Sequence, residues 1–167
     1  MKSMTETNLW AAFAGESQAH MKYLNFADQA RREKLLNIAR LFEAAAFSEQ
    51  IHASNHLKTL GGIQNTAANL VEGQKGETFE VEEMYLAYIA VADAQDEERA
   101  KRMMTWAIEA EKVHARLYQA AEPDAAAQHD IAAQDIWVCT ACGFTMEGEA
   151  PDVCPICGAK HEKFRKF

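Results

Sequence analysis

Residues 42–56 read FEAAAFSEQIHASNH. Ile38, Phe42 and Ala45 recur at spacings of three and four, the pattern of a helix that turns one apolar stripe toward a core. Continued at that spacing, the stripe meets Glu49, His52 and His56 instead of more hydrocarbon. A buried carboxylate without a partner is costly, so this face needs a compensating charge. Glu49-Gln50-Ile51-His52 places a carboxylate and an imidazole at i and i+3, on one face of the helix. Such a pair can bind one metal ion or two adjacent ions.

The same element recurs as Glu111-Lys112-Val113-His114, on a stripe running Met104, Ala107, Glu111, His114, Tyr118. Two further stripes also carry acid: Leu9, Phe13, Glu16, His20, Tyr23, Ala27, and Glu80, Glu83, Ala87, Ala90. A shared pair of cations would compensate all of these carboxylates together. Residues 5–121 are rich in Ala, Glu, Leu, Met and Gln and lack proline, a composition that favours helix. The periodicity predicts helices over 5–32, 34–60, 77–94 and 97–121, with Gly61-Gly62 ending the second. The connection 61–76 is long, with room for a short helix over 66–71. One long central connection between otherwise short ones matches the ferritin-like variant of the four-helix bundle. Two Glu-x-x-His elements, with Glu16 on the first helix and Glu83 on the third, form the ligand pattern of di-iron carboxylate bundles. Mixed carboxylate and imidazole donors suit iron or manganese and also accept zinc.

The remaining histidines have plainer roles. His20 reads as a packing residue, His56 lies one turn beyond His52, and His129 and His161 read as exposed. Tyr23 and Tyr85 are candidates to donate hydrogen bonds near the metals, although a tyrosine on a core stripe more often packs with its hydroxyl tethered.

All four cysteines fall in the last 29 residues, as Cys139-Thr140-Ala141-Cys142-Gly143 and Cys154-Pro155-Ile156-Cys157-Gly158. Two CxxC knuckles separated by eleven residues point to one tetrahedral metal held by four thiolates, either zinc or a single iron. From Ile136 onward glycines, prolines, aromatics and β-branched residues predict turns and short strands. About 30 residues bury too little core to fold alone, so a metal staple is expected. Trp137, Phe144, Phe164 and Phe167 are the expected aromatic cover. The organisation is therefore a helical bundle over 1–122, a linker over 123–135 and a small metal-bound β domain over 136–167.

The 17 basic and 25 acidic residues of the 167-residue chain give a net charge of −8, which argues against a nucleic-acid binder. No apolar run is long enough to span a membrane. The N-terminus lacks the apolar segment of a signal peptide, and clustered cysteines in a reducing compartment are more often metal ligands than disulfides. The expected location is the cytoplasm.

In this order, the helices and knuckles resemble the rubrerythrin family along nearly the whole chain. The matching pieces are Gly15-Glu16-Ser17, Glu49-Gln50-Ile51-His52, Glu80-Val81-Glu82-Glu83-Met84-Tyr85, Ala110-Glu111-Lys112-Val113-His114 and the two knuckles. The sequence departs from the family pattern at Leu86, where proline is common, and in the turn Asp93–Glu97, which is usually glycine-containing. The resemblance implies that Glu49 and Glu111 bridge two irons, with Glu16 terminal on one and Glu83 and His114 on the other. It implies that the first iron exchanges Glu80 when ferric for His52 when ferrous. It implies one rubredoxin-type iron on Cys139, Cys142, Cys154 and Cys157, for which zinc can substitute. The implied activity is reduction of hydrogen peroxide to water in oxidative-stress defence, with electrons arriving from a reductase or rubredoxin through the thiolate iron. A homodimer or small homo-oligomer is expected. The alternative is a ferritin-like protein that oxidises and stores iron, which would require a shell of many subunits.

Overall fold

The computed structural model describes residues 1–167, which form two compact units, 1–64 and 65–167. No helix is long and apolar enough to cross a membrane.

The first unit is a hairpin of α1 (Ser3–Arg32) and α2 (Leu36–Thr59). These bounds lie within two residues of the expected ones. The chain reverses at Lys34, which takes a left-handed conformation (φ 63°) while Leu35 N–H donates to the Ala30 carbonyl at 2.9 Å, closing the helix end. Ala27, Ala30, Ala39, Ala46 and Ala53 are buried, so small side chains line the seam and let the backbones approach. Two polar links fix the register. His20 Nδ1 donates to the Ala46 carbonyl at 2.8 Å, the packing role expected of it, and Arg31 pairs with both Asp28 and Glu43. Tyr23 packs against Phe26 and Phe42, with ring centroids 6.2 and 6.3 Å away.

The second unit opens with a helix that begins earlier than the expected 77. Asn65 caps it by accepting a 2.9 Å bond from Ala68 N–H, and α3 (Thr66–Phe79) follows. The segment expected as a short separate helix over 66–71 is its first part. The helix widens into a π turn at Glu80–Met84 and continues as α4 (Tyr85–Ala94). After a turn at Asp96 (φ 56°), α5 runs Glu98–Ala126, through Pro123 and into the segment expected as linker. Gly73 lets α3 and α5 close together: a Cβ there would lie 3.1 Å from the Tyr118 ring.

Beyond α5 lies a three-stranded antiparallel sheet in the order β2-β1-β3, made of β1 (Ile136–Cys139), β2 (Thr145–Glu147) and β3 (Phe164–Lys166). Its core is Cys139, Cys154 and Phe164, with Trp137, Phe144, Met146 and Ile156 packed around them. Phe167, expected in this cover, is instead exposed, with the Arg165 guanidinium 4.6 Å from its ring centroid. Arg116 on α5 pairs with Glu147 on β2 at 3.3 Å.

Candidate metal centres

The first Glu-x-x-His lies in the middle of α2. His52 Nδ1 is 2.9 Å from Glu49 Oε2, and α1 contributes Glu16, whose Oε1 is 3.8 Å from the same nitrogen. The second lies in the middle of α5. His114 Nδ1 is 2.8 Å from Glu111 Oε2, and the third carboxylate at 3.8 Å is Glu77 on α3. Both trios converge closely enough for each residue to offer one donor atom to a common cation. The two trios therefore repeat one geometry on different helix pairs. They differ in exposure: the His52 side chain is 51% exposed and His114 28%.

Glu77 is a residue that sequence reasoning misses. A helix starting at 77 would put it in the first turn, facing the helix dipole, but Asn65 starts the helix and leaves Glu77 three turns in, where no dipole role exists. Glu83, expected to stand beside His114, is exposed and outside the trio. The physical reason is the π turn. Its i→i+5 bonding widens the helix between Glu80 and Met84 and carries Glu83 off the face that Glu77 and Glu80 share. Glu80 remains partly buried near Glu77 and His114.

The electrostatics reflect this crowding. Burial, then the Glu111 charge, push the Glu77 carboxyl above its ordinary range, with His114 opposing. Burial and Glu77 do the same to Glu80. Burial and then the surrounding carboxylates also raise two phenols: Tyr85 through Glu80, Glu111 and Glu77, and Tyr118 through Glu77 and Glu111. Glu80, Glu111 and Glu77 thus all bear on Tyr85. Tyr118 is stacked on His114 at 25° with centroids 6.5 Å apart. Tyr23 belongs to the Phe26–Phe42 cluster.

A folded pKa raised above the unfolded carboxylate value, 4.5, sets the sign of a stability effect. The contribution is fully present below that value and is lost as pH rises through the folded pKa. In metal-free protein, thermal unfolding followed from pH 4 to 7 should therefore show Glu77→Gln gaining on the wild type as pH rises. A difference that stays flat or runs the other way contradicts this crowding.

The four cysteine sulfurs form the third group. Cys139 and Cys157 sulfurs lie 3.7 Å apart, as do those of Cys142 and Cys154. This is far from the roughly 2.05 Å of a disulfide. It matches the edge of a thiolate tetrahedron around a metal at about 2.3 Å. Gly143 (φ 83°) and Gly158 (φ 75°) allow the left-handed turns that close each knuckle, with Gly143 N–H on the Cys139 carbonyl and Gly158 N–H on the Cys154 carbonyl. Burial raises the Cys142 thiol. It works the same way on Cys154, but there the backbone N–H groups of Cys157 and Ile156 outweigh it and the net shift is downward. Those dipoles favour thiolate, the form that binds metal.

Paired carboxylate–imidazole trios on long helices, followed by a four-thiolate module, define a metalloprotein of the ferritin-like and rubredoxin-like class. The comparisons agree. Residues 7–122 match the family profile described as rubrerythrin, and residues 137–165 match that of the rubrerythrin rubredoxin-like domain. The chain is 40% identical to rubrerythrin-2 of Clostridium acetobutylicum, over 99% of this chain and 97% of that protein. It is 36% identical to nigerythrin of Nitratidesulfovibrio vulgaris, over 98% and 86%. A solved structure described as the fully reduced, all-ferrous state of nigerythrin aligns with a TM-score of 0.57 at 34% identity, over 98% of this chain and 86% of that one. The protein belongs to the rubrerythrin family. Its fold is mainly α, with ferritin-like helices followed by a small rubredoxin-like antiparallel sheet.

Proposed function

We propose that this protein is a non-haem di-iron peroxidase that reduces hydrogen peroxide to water, with electrons relayed through an Fe(Cys)4 centre in its C-terminal module. The observation that carries the reading is the repeated trio, Glu16–Glu49–His52 and Glu77–Glu111–His114, on a chain that also holds a four-thiolate site. Each trio alone offers three donors, few for an open-sided redox ion. The two trios and Glu80 count seven donors, the number that two ions and a substrate position would call for. In this reading Glu49 and Glu111 would be shared by the two ions, Glu16 would hold one, and Glu77 with His114 would hold the other. Glu80 and His52 would be alternative ligands of the first. The exposure of His52, whose only partners are Glu49 and Glu16, suits a ligand that comes and goes.

Two ferrous ions held there would supply both electrons that peroxide needs and polarise its oxygens. The balance is H2O2 + 2 e⁻ + 2 H⁺ → 2 H2O, so the protein must also hold protons at the site. Tyr85 and Tyr118 would do this, because a phenol is protonated near neutral pH and both stand under the influence of the site carboxylates. The division into a catalytic bundle over 1–122, a linker over 123–135 and an electron-delivering module over 136–167 belongs to the same reading. So does a cytoplasmic location, where thiols stay reduced. Exposed Leu36, Leu41, Phe47 and Ile51 on α2 support a homodimer or small homo-oligomer.

The test is a single turnover. Iron-loaded, anaerobically reduced protein should consume about one equivalent of peroxide per pair of bundle irons. Steady turnover should require an external donor. Protein that holds iron yet leaves peroxide untouched would refute the reading.

A further inference from the structure

Thr145 is the one buried polar side chain of the molecule, 5% exposed, and it belongs to the cysteine module by sequence. Its contact nevertheless reaches α5: Thr145 Oγ1 lies 2.8 Å from His114 Nε2 and 3.1 Å from the Gly143 carbonyl oxygen. A carbonyl can only accept, so a hydroxyl proton directed at Gly143 leaves the Thr145 oxygen to accept from His114 Nε2–H. Nδ1 lies 2.8 Å from Glu111 Oε2 and 3.8 Å from Glu77 Oε1, so a cation among them would take the Nδ1 lone pair while Nε2 keeps the proton. Lone pairs converging on one point are what a cation satisfies. His52 makes the same contacts through Nδ1 but has no partner on Nε2.

We propose that Thr145 is a positioning residue for the bundle centre: through the Gly143–Thr145–His114 chain, the folded cysteine module fixes the tautomer and ring orientation of His114. The inference rests on the reading of His114 as a metal ligand, and it deepens that reading in two ways. It makes the two otherwise matching trios unequal, one with a fixed imidazole and one with a free imidazole. It also makes the geometry of one metal centre depend on the fold of the other, because Gly143 closes the knuckle that carries Cys142.

The test uses the full-length chain with zinc saturating both the four thiolates and the bundle, and ¹⁵N–¹H spectra of its histidine side chains. His114 should appear as the Nε2–H tautomer. Thr145→Val keeps the shape and deletes the hydroxyl, and should move the His114 Nε2–H resonance and speed its exchange with water. Thr145→Ser should restore the wild-type pattern. Ferrous or cobaltous affinity at the bundle should fall roughly ten- to a hundredfold in the valine variant, the usual effect of losing a ligand's supporting hydrogen bond, and recover in the serine variant. A wild-type His114 in the Nδ1–H form, or a valine variant with an unchanged spectrum, overturns the proposal. Should the valine chain fail to fold, Thr145→Ala takes its place under the same outcomes. The tautomer is read with zinc alone, without iron or peroxide, so a failed peroxidase reading leaves this result standing or falling by itself.

Discussion

Glu111→Ala should cost the bundle both of its metal ions together, and Glu77→Ala should cost it at least one, whereas Glu83→Ala should cost none. Glu111 touches the only other donors of its trio, and its carboxylate is the proposed bridge, so its removal strands two cations at once. Losing a mere supporting bond to a ligand lowers metal affinity about 10- to 100-fold, so losing a bridging ligand should exceed that. Glu77 supplies the third donor beside His114. Glu83, one residue before Met84 at the end of the π turn, is exposed and replaceable. Metal content after desalting and peroxide turnover of the three variants separate the cases. If Glu83→Ala loses metal and Glu77→Ala does not, the helix register through the π turn is wrong.

This pair of residues marks where the sequence can be read and where it cannot. The Glu-x-x-His elements and the CxxC knuckles are legible because their geometry is local. Residues three apart on a helix share a face whatever surrounds them, and two knuckles can close on one metal with little help. Glu77 escapes for two reasons. Gly73 and Gly76 make residues 61–76 look like loop, although Gly73 is there to admit the Tyr118 ring into a close helix contact. The available signal is Asn65 ahead of Thr66-Ala67-Ala68, an N-cap with good helix formers after it. The π turn has no comparable signal. A single widened turn leaves the composition unchanged and alters only the helical phase of the residues beyond it, so a stripe drawn at constant spacing puts Glu83 where Glu77 belongs. Thr145 is invisible for a third reason. Its partner lies 31 residues away, and only the seating of β2 on α5 brings them together.

Cys154→Ser should reduce steady peroxide turnover with an external electron donor by about a hundredfold or more, while a chemically reduced sample still completes one turnover. Cys154 is 2% exposed at the centre of the module core, and its sulfur takes the backbone N–H groups of Ile156 and Cys157. A serine there keeps the size and loses a thiolate donor, so the tetrahedron is left with three sulfurs and the iron with a weaker, oxygen-bearing shell. The loss of visible ferric–thiolate absorption would report this directly. The helices have their own buried alanine seams and should stay folded by circular dichroism. The module also holds His114 through Thr145, however, so the separation should be incomplete in a defined way. The bundle of Cys154→Ser should bind its ions more weakly, by about the factor seen in Thr145→Val, and at saturating iron it should still consume one equivalent of peroxide. Were single-turnover consumption lost even at saturating iron, electron delivery and peroxide chemistry would not be divided between the two regions, and the relay assigned to the four thiolates would be wrong. Were affinity untouched, the hydrogen-bond link between the two centres would be wrong while the relay stood.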